Sequence, residues 1–280
     1  MRTIETTEIT KQIKEMCIEA NYFLSSDMKQ AIEEAKEAET AGIGKHILEK
    51  LCENMQIAGE DMIPICQDTG MAVIFMEIGQ DVHFSGGYLE DAINEGVRRG
   101  YQEGYLRKSV VKDPLIRVNT KDNTPAVIHY QIAPGDRVKI TVAPKGFGSE
   151  NMSRVFMLKP ADGMEGVKQA VLTAVKDAGP NACPPMVVGV GVGGTFEKCA
   201  VLAKQALTRP VQELSEIPYV REMEQELLEK INETGIGPGG LGGATTALAV
   251  HINTYPTHIA GLPVAVNICC HVNRHVVRVL

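Results

Sequence analysis

The stretch Met186-Val187-Val188-Gly189-Val190-Gly191-Val192-Gly193-Gly194-Thr195 decides the class of fold. Apolar, mostly β-branched residues fill Met186–Val192, the kind of short continuous run that forms a fully buried strand. Two glycines end it, and Thr195 opens a helical segment that runs to about Leu207. A buried strand feeding a helix is the unit from which α/β folds are built. The glycines also fit G-x-G-x-x-G, the dinucleotide pattern, in the right local context. Yet no second strand ending in an acidic residue follows roughly 20 residues on. Pro210 and Pro218 interrupt a polar helical stretch instead. The glycine spacing therefore reads as close packing of a helix on a strand.

Working outward, a helix is expected over Val220–Thr234, then a glycine cluster (Gly235–Gly243), then strands over Thr245–Ile252 and Pro263–Cys269. Upstream, a helix covers Met164–Ala178. Ala126–Ile132 and Arg137–Ala143 flank Pro134-Gly135-Asp136, a hairpin signal. The first 60 residues or so show helical stripes: Ile9, Ile13, Met16, Cys17 and Ala20; Met28, Ile32 and Ala35; Ile47, Leu48, Leu51, Cys52 and Met55. A fourth stripe follows Gly86–Gly87, through Leu89, Ala92, Ile93, Val97 and Tyr101. No repeat or composition break is evident. The expectation is one α/β domain over residues 1–280, of mixed α+β character: helical over 1–62, then a mixed sheet with packed helices over 63–280.

The 280 residues carry 28 Lys and Arg against 35 Asp and Glu, a net charge of −7. That acidic balance argues against a nucleic-acid or anionic-membrane partner. With no Trp and 5% aromatic residues, base-stacking platforms are not expected. The apolar run Met71–Met76 is far short of the roughly 20 residues that span a bilayer. The polar N-terminus shows no apolar signal region, which points to the cytoplasm.

In a reducing compartment the seven cysteines are core thiols, catalytic thiols or metal ligands. Cys17, Cys52 and Cys199 fall in expected helices and read as small core hydrophobes. The other four lie in Cys66-Gln67-Asp68-Thr69-Gly70, Ala182-Cys183-Pro184-Pro185 and Cys269-Cys270-His271. These look like loops at element ends, where site residues concentrate. Three thiolates on a cubane iron–sulfur cluster leave one iron free to act as a Lewis acid. There is no C-x-x-C pair, and spacing alone favours unrelated thiols.

Six segments, in order over most of the chain, resemble the iron–sulfur hydro-lyases of the class I fumarase and L-tartrate dehydratase family. They are Cys66–Gly70, Tyr105-Leu106-Arg107, Lys145-Gly146-Phe147-Gly148-Ser149-Glu150-Asn151, Ala182–Pro185, Gly237–Thr246 and His258–Cys270. The resemblance implies an α subunit that carries a [4Fe–4S] cluster with one open iron. It also implies a separate β subunit supplying a catalytic threonine and more basic residues, with two copies of each subunit. Cys66, Cys183 and Cys270 match the cluster ligands. Cys270 is preferred to Cys269 because the family's substrate histidine lies twelve residues before its last ligand, as His258 does here. Gln67, Arg107, Gly146 and His258 match substrate contacts, and Asp68 matches an acid involved in proton transfer. Lys145 and Arg274 are lesser helpers.

These residue types suit a small dianion. Arg captures a carboxylate in two-point fashion, and a glycine lets backbone N–H groups approach an oxyanion. The implied reaction is reversible hydration of fumarate to malate; dehydration of L-tartrate to oxaloacetate is the alternative. Simpler roles exist for each residue. Arg107 suits a helix end, Asp68 a turn cap, Gly146 a turn, and His258 a surface loop. An NAD-linked oxidoreductase and a non-catalytic scaffold subunit are the rival classes.

Overall fold

The computed structural model describes all 280 residues. In chain order the elements are β1 (Arg2–Glu5), α1 (Thr6–Tyr22), α2 (Ser26–Ala38), α3 (Gly42–Asp61), β2 (Met71–Gly79), β3 (Val82–Ser85) and α4 (Leu89–Glu103). Then come β4 (Val127–Ala133), β5 (Val138–Lys145), the single turn α5 (Phe147–Glu150), β6 (Arg154–Leu158), α6 (Gly163–Ala178) and β7 (Met186–Gly193). The chain finishes with α7 (Phe196–Ala206), α8 (Pro218–Asn232), β8 (Ala247–Tyr255), β9 (Leu262–Cys269) and β10 (Val276–Val279). This is the mixed α/β class that the sequence suggests. Contacts divide the chain into two compact units, Met1–Ser25 with Met55–Phe147 and Arg274–Leu280, and Ser26–Asn54 with Gly148–Asn273. Each unit is discontinuous in sequence, so no composition shift marks a boundary. The three N-terminal helices form no unit of their own: α1 belongs to the first unit and α2 to the second.

The first unit is built on a four-stranded sheet of order β10-β5-β2-β4. Ala72, Ile74 and Met76 of β2 and Ile140 and Val142 of β5 face α1 and α4. Gly96 and Gly100 let α4 approach α1 closely, since a Cβ there would lie 2.7 Å from Ile13 and 2.8 Å from Cys17. The expected hairpin between β4 and β5 does not form. β2 lies between them, parallel to β4 and antiparallel to β5. The Pro134–Asp136 turn straddles the end of β2, where the Gly79 N–H donates to Arg137 and the Asp81 N–H to Gly135. The apolar β2 takes the central place because it can be buried on both faces.

The second unit repeats this plan. Its sheet runs β6-β9-β7-β8, with β7 parallel to β8 and antiparallel to β9. So β2, β4, β5 and β10 correspond to β7, β8, β9 and β6. One face packs on α6 and α8 through Val188, Val190, Val250, Val264 and Val266. The other receives α7, and here the glycine spacing acts: a Cβ on Gly189 or Gly191 would sit 2.2 Å from the Ala203 carbonyl or 2.0 Å from that of Cys199. The strand–helix packing read from the sequence is what these glycines serve.

Candidate active site

In the first unit the turn before β2 carries Cys66, Gln67, Asp68, Thr69 and Gly70. Buried side chains hold it from beneath. The Tyr101 hydroxyl donates to the carbonyls of Thr69 (2.7 Å) and Gly70 (3.1 Å), and Asn123 Nδ2 also donates to Gly70 (3.1 Å). Arg274 is 3% exposed; its guanidinium donates to the carbonyl of Asp68 and, at 3.4 Å, to that of Pro144. A positive φ at Gly70 lets the turn rest on Lys145, where a Cβ would lie 2.6 Å from the Lys145 carbonyl carbon.

Two further links gather the expected residues. Thr69 Oγ1 accepts the Arg107 N–H at 2.9 Å and donates to the Arg107 carbonyl at 3.1 Å. This fixes the backbone after α4 against the turn and leaves the Arg107 side chain exposed. The Asp68 carboxylate accepts the Gly70 N–H at 3.0 Å and the Phe147 N–H at 2.8 Å. Gly146 passes close by, with a Cβ there only 3.0 Å from Asp68 Oδ2. Cys66 Sγ accepts the Asp68 N–H at 3.4 Å, and the thiol lies 3.5 Å from Gln67 Oε1. Cys66, Gln67, Asp68, Arg107 and Gly146 therefore converge within this unit. Asp68 is the turn cap of the simpler reading, and it also ties two loops together.

The second unit places Cys183 and Cys270 at the corresponding end of its sheet. Cys183 lies three residues before β7, and Cys270 directly follows β9. The His271 N–H donates to the Cys183 carbonyl at 3.4 Å, and His271 Nδ1 lies 3.0 Å from the same oxygen. Cys183 takes a left-handed conformation, with φ 51°. Cys269 is buried and opposite Val187 on β9, while Cys270 is half-buried at the strand end. The glycine cluster lies against the Cys183 turn: the Gly239 N–H donates to Pro184, and Gly240 packs on Pro180.

His258 is not brought to these cysteines. It follows β8, beside the far end of β7, where Thr257 Oγ1 donates to Gly194. The eight residues of β9 separate that end from Cys270, about 26 Å at roughly 3.3 Å per residue. His258 there lines a cavity of roughly 390 Å³ with Met164, Tyr219, Met223, Ile252 and Leu262. The twelve-residue spacing that joins it to Cys270 in sequence runs through the whole of β9.

The donor set suits a soft iron–sulfur centre. Cys66, Cys183 and Cys270 stand outside any disulfide and have some exposure at element ends. Burial pushes the Cys17 thiol up to about 12 and also raises Cys52 and Cys199, which suits core residues rather than thiolate ligands. Within neither unit do three His, Cys, Asp or Glu side chains stand together in ligating geometry. Sequence reading missed Tyr101, Asn123 and the glycine-cluster contacts. Only the burial of Tyr101 on the α4 stripe was foreshadowed.

Known proteins resemble this chain along most of its length. The family described as Fumarate hydratase (Fumerase) matches residues 10–279. A Methanocaldococcus jannaschii protein provisionally named L(+)-tartrate dehydratase subunit alpha is 42% identical over 277 residues, covering 97% of each chain. The L(+)-tartrate dehydratase subunit alpha of Escherichia coli K12 is 33% identical over 255 residues, 90% of this chain and 84% of that one. Matched along nearly its whole length, the chain belongs to the fumarate hydratase (fumerase) family of hydro-lyases.

Proposed function

We propose that this chain is the cluster-bearing α subunit of a cytoplasmic, two-subunit hydro-lyase that interconverts fumarate and malate. The observation that carries this reading is the correspondence between the two sheets. Cys66 and Cys183 each precede a central strand, while Gly146 and Cys270 each follow its antiparallel neighbour. Cys66, Cys183 and Cys270 would hold a [4Fe–4S] cluster. When bound, it supplies a Lewis-acid iron for the substrate hydroxyl.

The chain's own groups bind and orient the dianion. Exposed Arg107 offers a fork of donors to one carboxylate. Gln67 adds an amide, and Gly146 offers a backbone unscreened by a side chain of its own. Asp68 is fixed by two backbone donors, and each of its oxygens keeps a lone pair at which a proton can be held. The β subunit supplies the remaining acid–base and cationic groups, with two copies of each subunit. A contact from His258 to a substrate held at Cys270 would come from a second copy of this chain, because the strand length separates them within one.

L-tartrate is the second reading, favoured by the names of the relatives; it differs from malate by one hydroxyl on the same skeleton. Co-expression with the β subunit, anaerobic purification and assay on fumarate, malate and L-tartrate tests both. Fumarate–malate turnover supports the first reading. Conversion of L-tartrate alone replaces it with the second, and no turnover of any of the three defeats both.

A further inference from the structure

Glu39 lies 205 residues from the segment it serves, in the link between α2 and α3. It is 4% exposed. Its carboxylate accepts the N–H groups of Thr40 (3.1 Å) and Ala41 (3.0 Å) on its own side. Across the unit it accepts the Ala244 N–H on both oxygens (3.0 and 2.9 Å) and the Thr245 N–H on one (3.1 Å). Two glycines leave room for it, since a Cβ on Gly44 or Gly243 would lie 3.0 Å or 2.9 Å from carboxyl atoms. Burial pushes the Glu39 carboxyl upward, but the backbone donors outweigh it and hold the group below its ordinary range. A buried anion enclosed by backbone donors fixes the loop that carries them.

That loop is the glycine cluster. From Ala244 it leads back to Gly239, whose N–H donates to Pro184 at 2.8 Å, and to Gly240, whose Cβ position is filled by Pro180. Pro180 and Pro184 bracket Cys183. We propose that Glu39 is a positioning residue for Cys183, acting through the Gly237–Thr246 loop to set the direction of its thiol. The functional part of this inference rests on the reading of Cys183 as a cluster ligand.

Glu39→Gln keeps the size but puts an amide donor against N–H groups. In the full-length apo chain, hydrogen exchange of peptides covering 179–183 and 237–246 should rise roughly tenfold or more. Peptides 66–76 and 138–147 of the first unit should stay unchanged. A rise of similar size in both units, or none near Cys183, overturns the proposal. Should Glu39→Gln fail to fold, Gly243→Ala presses on the same carboxylate from the loop side and must give the same local pattern. In the reconstituted complex with the β subunit, chelator-driven loss of cluster absorbance should be about threefold or more faster in the variant. Equal loss rates overturn the proposal alone. A wild-type complex that takes up no iron overturns the ligand reading beneath it.

Discussion

Tyr101→Phe isolates the support beneath the Cys66 turn. The ring stays, fully buried among the residues of α1 and β2, so packing volume changes little. The hydroxyl goes, and with it the donor to two buried carbonyls. Gly70 retains Asn123 Nδ2 at 3.1 Å, so its loss is about 0.5–1.5 kcal/mol, an ordinary net hydrogen bond. Thr69 loses its 2.7 Å partner outright, and a stranded buried carbonyl costs about 1–3 kcal/mol. Together these give a destabilisation of about 1.5–4.5 kcal/mol. Urea unfolding of the apo chain measures it, with exchange of residues 66–76 showing where the loosening occurs. A stability change below about 0.5 kcal/mol, with exchange at the turn unaltered, would refute the reasoning: the hydroxyl would then not be what holds the turn.

Three other outcomes follow from the geometry. Gly191→Ala puts a Cβ 2.0 Å from the Cys199 carbonyl, a backbone atom that yields only if α7 moves; a loss of about 1–3 kcal/mol or more in urea unfolding is expected. His251 is buried between the carbonyls of Ala206 (3.2 Å) and Val211 (3.3 Å), and burial, followed by Arg209, lowers its pKa from 6.5. The unfolded chain therefore takes up a proton near pH 6.5 that the folded chain refuses. Stability should be flat on this account above that pH and fall as pH drops below it, and His251→Gln should flatten that fall. Arg107→Ala should raise KM for the dicarboxylate by roughly tenfold or more while leaving the apo chain's urea midpoint in place, because the side chain is exposed. Unchanged KM counts against the carboxylate clamp.

Helices were legible where periodicity is local. The stripes through Ile9–Ala20 and Leu89–Tyr101 became α1 and α4, and the glycines of Met186–Thr195 marked helix-on-strand packing. Strand partners were not legible. β4 and β5 look like a hairpin because the turn chemistry is local, whereas insertion of β2 is decided by burial some 50 residues away. The repeated plan of the two sheets leaves no trace in residue identity, since it resides in pairing order.

The candidate site divides in the same way. Resemblance supplied Cys66 through Asp68, Arg107 and Gly146, and the hydrogen bonds of the first unit bring these together. It also supplied His258, which the second unit sets a strand's length from Cys270. Glu39, Tyr101 and Asn123 carry no motif. Each acts on backbone carbonyls or N–H groups far along the chain, and such partners become visible only in three dimensions.

Iron and acid-labile sulfide per αβ pair, measured after anaerobic reconstitution, test the central claim most directly. The wild type should hold about four of each. Serine at Cys66, Cys183 or Cys270 should each lower that content sharply, whereas serine at Cys17 or Cys199 should leave it intact. Full loading after replacement of all three proposed ligands, or equal loss from the two core controls, would contradict the account.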